Sequence, residues 1–197
     1  MGADQSVAQA VELSRSGHDC GQGVDDYGRK RLDLNMATKF AYLAGGCFWG
    51  LEELFRKRLG VVDVQTGYTG GENDYPTYEH HPGHAEALRI EYDPAQTSFR
   101  ELLGFFFCVH DPTTLNRQGN DRGESYRSAI FYQTEDEKDA AEEFIKIVND
   151  SGRWDRPVVT SLELFKTFWL AEEEHQNYLQ KHPNGYTCHF IRFDSYL

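Results

Sequence analysis

The chain has 197 residues, enough for one domain with a substantial core and cramped for two. Its 32 acidic and 20 basic side chains leave a net charge of -12, which argues against nucleic acid or an anionic membrane as a partner. It contains neither a long apolar run, of about 18 residues, nor a basic stretch leading into an apolar one, so we expect no membrane span or secretory signal and a cytoplasmic location.

Residues 1–36 are polar and glycine-rich, with Cys20 among glycines and a basic Arg29-Lys30-Arg31, and they read as a flexible N-terminal extension. From Thr38 to Ala44 the pattern predicts a strand, and apolar residues at 48, 51, 54, 55 and 59 predict a helix over Phe48–Leu59, stopped by Gly60. Val61–Tyr68 is rich in β-branched residues and reads as a strand, followed by a long loop from Thr69 to His84. Ala85–Tyr92 is the next strand. Ser98 then caps a helix running to Cys108, with Phe99, Leu102, Leu103 and Phe106 on its buried face. A second long loop, His110–Ser125, leads into a strand at Arg127–Gln133. Thr134 caps a helix whose apolar face carries Ala140, Ala141, Phe144, Ile145 and Val148. A strand over Pro157–Leu164 and a helix over Ala171–Gln180 precede a tail, 181–197. From Thr38 the order is β-α-β-β-α-β followed by helix, strand and helix, which matches an α/β, two-layer α+β sandwich with a ferredoxin-like split βαβ core, a mixed sheet and a mobile tail.

Cys47 stands in Ala44-Gly45-Gly46-Cys47-Phe48-Trp49-Gly50, between the first strand and the first helix. A thiol at a helix N-terminus meets free N–H donors and the positive end of the dipole, so a lowered pKa is expected there. The four cysteines, at 20, 47, 108 and 188, lack the spacing of a disulfide framework or a zinc site. Two long loops flank the strands next to the Cys47 turn: the first holds Tyr75, Tyr78, His80, His81, His84 and Glu86, and the second His110, Asp111, Asn116, Gln118, Asn120, Asp121 and Tyr126. Cys188 near the chain end has the reach that thiol–disulfide exchange requires.

Gly46-Cys47-Phe48-Trp49-Gly50, Gly67-Tyr68-Thr69-Gly70-Gly71, Pro76-Thr77-Tyr78, Gly83-His84-Ala85-Glu86, His110-Asp111-Pro112-Thr113, Asn116-Arg117-Gln118-Gly119-Asn120-Asp121, Tyr126-Arg127-Ser128, His175-Gln176 and Gly185-Tyr186-Thr187-Cys188-His189 run in order through the chain. Together they resemble the signature blocks of the A-type peptide methionine sulfoxide reductases. The resemblance implies a single catalytic domain, 37–197, that reduces the S epimer of methionine sulfoxide, free or in proteins, as protein repair. Cys47 would be the nucleophile, Glu86 the general acid, and Tyr78 and Tyr126 the hydrogen-bond donors to the sulfoxide oxygen. Phe48 and Trp49 would hold the S-methyl group, with Asp121 and His84 also at the substrate. Cys188 would resolve the Cys47 sulfenic acid as a disulfide that thioredoxin, or dithiothreitol in its place, reduces; no bound cofactor or metal is implied, and a monomer is expected.

For Glu86 to act as an acid, its pKa must rise toward 6 or 7 from a reference near 4.3. A cysteine hydrolase with His84 or His110 as base, and a binding module without turnover, are the alternatives of a different class. Cys108 reads as buried and Cys20 as a bystander. Two departures from the family pattern stand out: a short Glu79-His80-His81-Pro82 segment, and Glu124 where a small hydroxyl residue is common. The latter is expected to disfavour acidic residues flanking the oxidised methionine.

Overall fold

The computed structural model describes residues 37–196; Cys20 and the proposed N-terminal extension lie outside the described residues. The strands are β1 (Lys39–Gly45), β2 (Val61–Thr69), β3 (Ala85–Tyr92), β4 (Arg117–Gln118), β5 (Asp121–Arg122), β6 (Ser128–Tyr132), β7 (Ser161–Leu164) and β8 (Phe168–Leu170). The helices are α1 (Phe48–Arg56), α2 (Phe99–Val109), α3 (Glu135–Asp150) and α4 (Tyr178–Lys181), with 3-10 turns at Glu124–Tyr126 and Glu173–His175.

Six strands form one sheet in the order β7-β6-β1-β3-β2-β8. Its centre, β6-β1-β3-β2, is the antiparallel order of a split βαβ fold. β7 extends one edge in parallel with β6, and β8 extends the other antiparallel to β2. Residue alternation along the strands divides the core. Ala41, Leu43, Leu88, Ile90 and Ile130 face one way and join Phe48, Leu51, Phe55, Leu102, Phe106, Phe107, Phe144 and Val148 of the helices. Tyr42, Ala44, Ala87, Ala129 and Phe131 face the other way, where Phe165 and Phe168 cover them; Phe165 stacks on Tyr42 at 3.8 Å between centroids. Helices therefore line one face, and Phe165 and Phe168, from the β7–β8 connection and the start of β8, cover the other.

Local signals set most element ends. Ser98 accepts from the Glu101 N–H while Glu101 accepts from Ser98, a reciprocal cap that contributes about 1 kcal/mol. Thr134 caps α3 through the Glu137 N–H. Elsewhere the structure departs from the expectation. α1 ends at Arg56 rather than Leu59, because 57–60 tighten into turns that close on Gly60 at φ +81°. The strand expected from Pro157 begins only at Ser161: Pro157 has no N–H, Val158 donates to the Asn149 side chain and Val159 to Pro112 O. β8 is additional to the expected strands, and the β4–β5 hairpin lies inside the expected second loop.

The helix expected over Ala171–Gln180 is broken into a 3-10 turn and α4, with Asn177 left-handed at φ 55°. Long-range bonds replace its ladder. Gln176 Oε1 accepts from Thr66 N at 3.1 Å, and its Nε2 donates to Thr66 O and Ala171 O, both at 2.9 Å. Asn177 N donates to the buried Glu52 at 2.8 Å. A continuous helix would forfeit these bonds and leave the β2 backbone unpaired.

Candidate active site

Gly45 ends β1, and Gly46, at φ +106°, turns the chain so that Cys47 becomes the N-cap of α1. A Cβ on Gly46 would run into the Gln118 side chain, which is itself tied to both Asp111 N and Asp111 O. The turn thus packs under the loop that carries Asp121.

The first N–H groups of α1 lack helical acceptors, and the site is assembled on them. Phe48 N donates to Glu86 Oε2 at 3.0 Å. The Trp49 N–H acts on the Cys47 sulfur and the Cys47 N–H on the Cys188 sulfur, each favouring the ionised thiol. For Cys47 that pull is outweighed. Burial first, then the Glu86 carboxyl, raise its pKa above the ordinary thiol range, with only 5% of the residue exposed. The lowered pKa expected from the helix terminus is therefore corrected: desolvation and neighbouring acids exceed the dipole.

Glu86, near the start of β3, pairs with Tyr68 on the helix-facing side of the sheet. It is 1% exposed, and burial raises it to about 8 against the Phe48 N–H that lowers it. At neutral pH it carries a proton. Tyr126, at the end of the 3-10 turn, and Tyr78 are close enough to Glu86, Cys47 and Asp121 to feel their charges, and both are raised, foremost by burial. Tyr78 is 38% exposed, at the mouth of the site.

The apolar wall is aromatic. Phe48 is fully buried against Tyr68 and His175, at 5.8 and 5.7 Å between centroids, and forms a floor. Trp49 stacks on Tyr178 at 3.9 Å and donates its Nε1–H to His175 Nδ1 at 3.2 Å. Tyr78 lies 4.3 Å from His175 and 6.3 Å from Trp49, ring to ring. Glu172 joins the wall to the loop: Oε2 accepts from the Tyr68 hydroxyl at 2.9 Å and Oε1 from Tyr78 N at 2.8 Å.

The tail crosses this site. Tyr186 donates its hydroxyl to Asp121 Oδ2 at 3.0 Å, Thr187 packs on Gly50, and His189 Nε2 meets Gly45 O at 2.8 Å. Cys188 is half-buried between them, raised to about 12 by burial and by the Asp121 carboxylate. Cys47, Cys108 and Cys188 are all free thiols.

Cys47, Glu86, Tyr78, Tyr126, Asp121, Phe48, Trp49 and Cys188 are brought together. His84 is not among them: its Nε2 bonds to Asn73 O at 2.9 Å inside the 69–84 loop, and its Nδ1 is buried without a protein partner. His110 engages Phe106 O and Ser128 Oγ, at 2.6 and 2.8 Å, and burial lowers it to about 3. Neither histidine is available to Cys47 as a base, which disfavours the hydrolase arrangement. A cavity of about 710 Å³ lies beside Phe40, Tyr92 and Pro94 and holds none of these groups. Among the described residues no group of three or more His, Cys, Asp or Glu could hold a metal ion, and no helix is long and apolar enough to cross a membrane. Sequence reasoning names His189 beside Cys188 in the tail without giving it a role and does not single out Glu172 or Tyr178; an acid within Glu172-Glu173-Glu174, for one, carries no local signal of burial or partner.

Residues 39–195 match the family described as peptide methionine sulfoxide reductase. The chain is 60% identical over 154 residues to the peptide methionine sulfoxide reductase MsrA of Mycolicibacterium gilvum, covering 78% of this chain and 91% of that protein. The reduced form of Mxr1 from Saccharomyces cerevisiae aligns with a TM-score of 0.74 at 38% identity, over 79% of this chain and 93% of that one. Mxr1 in complex with Trx2 aligns at a TM-score of 0.56 and 29% identity, over 79% and 91%.

Proposed function

The chain belongs to the peptide methionine sulfoxide reductase family, and from that premise we propose how its own residues carry the reaction. It is an oxidoreductase that reduces methionine sulfoxide to methionine and is recycled by thioredoxin. The observation that carries the residue assignment is the convergence of Cys47, Glu86 and Cys188 on the first turn of α1.

Substrate enters with its S-methyl group over Phe48 and against Trp49, and its oxygen toward Glu86, Tyr78 and Tyr126. Neutral Glu86 gives its proton to the sulfoxide oxygen as negative charge gathers there, and the tyrosine hydroxyls add hydrogen bonds. The Cys47 sulfur attacks the activated sulfoxide sulfur, and the thiol proton replaces the one Glu86 gave. The oxygen passes to Cys47 as a sulfenic acid and methionine leaves: the substrate sulfur gains two electrons and Cys47 loses them. A buried thiol held protonated until substrate arrives fits this order, because proton loss is then coupled to the attack.

Cys188 then displaces the hydroxyl of the sulfenic acid, giving a Cys47–Cys188 disulfide and water. Thioredoxin reduces that disulfide by exchange, with no bound cofactor. Asp121 orients the substrate main chain once the Tyr186 hydroxyl has left it. His84 supports this site from behind, by holding the 69–84 loop. The S epimer is the one reduced, free or within proteins, and the catalytic unit is 37–197, acting as a monomer in the cytoplasm without nucleic acid or membrane.

The test mixes reduced protein with methionine S-sulfoxide and no recycling reductant. About one methionine per chain should be released, with a Cys47–Cys188 disulfide on peptide mapping. No methionine rejects the assignment to Cys47, and a disulfide to Cys108 or Cys20 rejects the relay.

A further inference from the structure

Cys188 has to become a thiolate to attack, yet burial and Asp121 hold its thiol at about 12. With that pKa only about one molecule in 10⁵ is ionised at neutral pH. Some neighbouring group must therefore accept the proton as the sulfur attacks, and the nucleophile–base logic directs attention to what lies within hydrogen-bond reach.

Two groups do. The His189 Nδ1 lies 3.5 Å from Cys188 Sγ, and the Asp121 carboxylate is hydrogen-bonded to the same thiol. His189 is fixed from behind. Its Nε2 lies 2.8 Å from Gly45 O, and since a carbonyl oxygen only accepts, Nε2 carries the ring proton and Nδ1 presents a lone pair to the thiol. The ring is buried and its pKa is lowered to about 4 by burial, so it is neutral across the physiological range and its Nδ1 lone pair is unprotonated.

We propose that His189 is a catalytic residue of the resolving step, in which its Nδ1 takes the thiol proton of Cys188 as that sulfur attacks the Cys47 sulfenic acid. This rests on the assignment of Cys188 as the resolving thiol. The S–S bond forms as the Cys47 S–O bond breaks. The departing hydroxide takes a proton from neutral Glu86 and leaves as water, and the imidazolium proton later restores Glu86 through solvent. Proton transfer to a neutral imidazole leaves thiolate and imidazolium as an ion pair. Transfer to Asp121 would leave the thiolate beside a neutral acid, without that attraction. The other titratable or charged groups that act on the pair are Cys47 at the head of α1, His110 after α2, and Tyr186 and Arg192 of the tail.

The experiment follows methionine release and Cys47–Cys188 disulfide formation in the same quenched samples of full-length protein, with a sulfenic-acid trap as a third readout. In the wild-type protein the disulfide rate should be flat between about pH 5.5 and 7.5, because His189 stays neutral there; a rise of about tenfold per pH unit, following the thiolate fraction, overturns the proposal. His189→Gln keeps a donor for Gly45 O but no base. The ratio of disulfide to methionine rates should fall about 100-fold, the trapped sulfenic acid should accumulate, and the pH slope should appear. A ratio within about twofold of wild type overturns the proposal, as does the same loss in Asp121→Asn without one in His189→Gln. Where His189→Gln does not fold, the wild-type pH profile decides. Absence of a Cys47–Cys188 disulfide in the wild type overturns the resolving assignment itself, which is a different outcome.

Discussion

The Glu86 carboxyl and the Phe48 backbone N–H, 38 positions apart in sequence, meet at 3.0 Å at the first turn of α1. The bond aims Oε2 of the carboxyl at the helix start beside Cys47. Burial outweighs this bond and raises Glu86 to about 8, so the carboxyl is mostly protonated at neutral pH, as the proposed general acid requires.

That assignment has a signed pH consequence. The protonated form is present below about 8 and lost above it, so methionine formation in a single turnover should fall about tenfold per pH unit on the alkaline side. Glu86→Gln keeps an acceptor for Phe48 N but gives no proton. Its rate should drop by about 10²–10⁴ and lose the alkaline limb; a retained limb at the same pH would assign it to another group.

The two thiols should separate by turnover number. Cys47→Ser should release no methionine under any reductant. Cys188→Ser should release about one equivalent and then fail with thioredoxin, since no disulfide forms for it to exchange with. Quantifying methionine against protein at a single time course checks both, and sustained thioredoxin-supported turnover of Cys188→Ser would remove Cys188 from the cycle.

Glu172 joins Tyr68 to the Tyr78 backbone and so fixes the segment that carries the Tyr78 ring. Glu172→Ala should lower kcat by about tenfold, the loss of roughly 1.4 kcal/mol of charged hydrogen bonding. Glu172→Gln keeps an acceptor for Tyr78 N and can turn its amide N–H to the Tyr68 oxygen, so it should recover most of it. In a Tyr78→Phe background the alanine change should cost much less, which a double-mutant cycle measures; full additivity would make Glu172 merely structural.

Gly46→Ala places a Cβ against Gln118 at a backbone φ of +106°. Both strain and overlap oppose folding, and a loss of about 2–4 kcal/mol in denaturant unfolding is expected. An unfolding midpoint equal to wild type would show that the turn can relax.

Glu124 is exposed at the head of the turn that carries Tyr126. Sulfoxide peptides flanked by Lys should be reduced with a higher kcat/KM than those flanked by Asp, and salt should narrow the gap. Equal values at low salt would remove the acidic rim from substrate choice.

Periodicity and capping make much of this chain legible from its amino acids alone. Ala85–Tyr92 is an uninterrupted strand as expected, Ser98 and Thr134 cap the helices they precede, and Phe99, Leu102, Leu103 and Phe106 are all buried. These signals are local, since each depends on neighbours within about one or two turns. The glycine-flanked Cys47 and the ordered blocks around it are legible for the same reason, and with them the family and its chemistry.

Tertiary structure decided what depends on residues distant in sequence. Whether Ala171–Gln180 would coil was settled by Thr66 and Glu52, more than a hundred positions away, which take the hydrogen bonds a helix would have used. The direction of the Cys47 pKa reversed for the same kind of reason. The helix start that lowers it is written beside it in the chain, whereas the burial and the Glu86 carboxyl that raise it arrive only on folding. His189 next to Cys188 is visible in the sequence, but Gly45 O, 144 positions earlier, determines which of its nitrogens faces the thiol. The order of amino acids supplies the groups at this site; solvent exclusion and long-range pairing, which exist only in the folded chain, set the protonation state each of them holds.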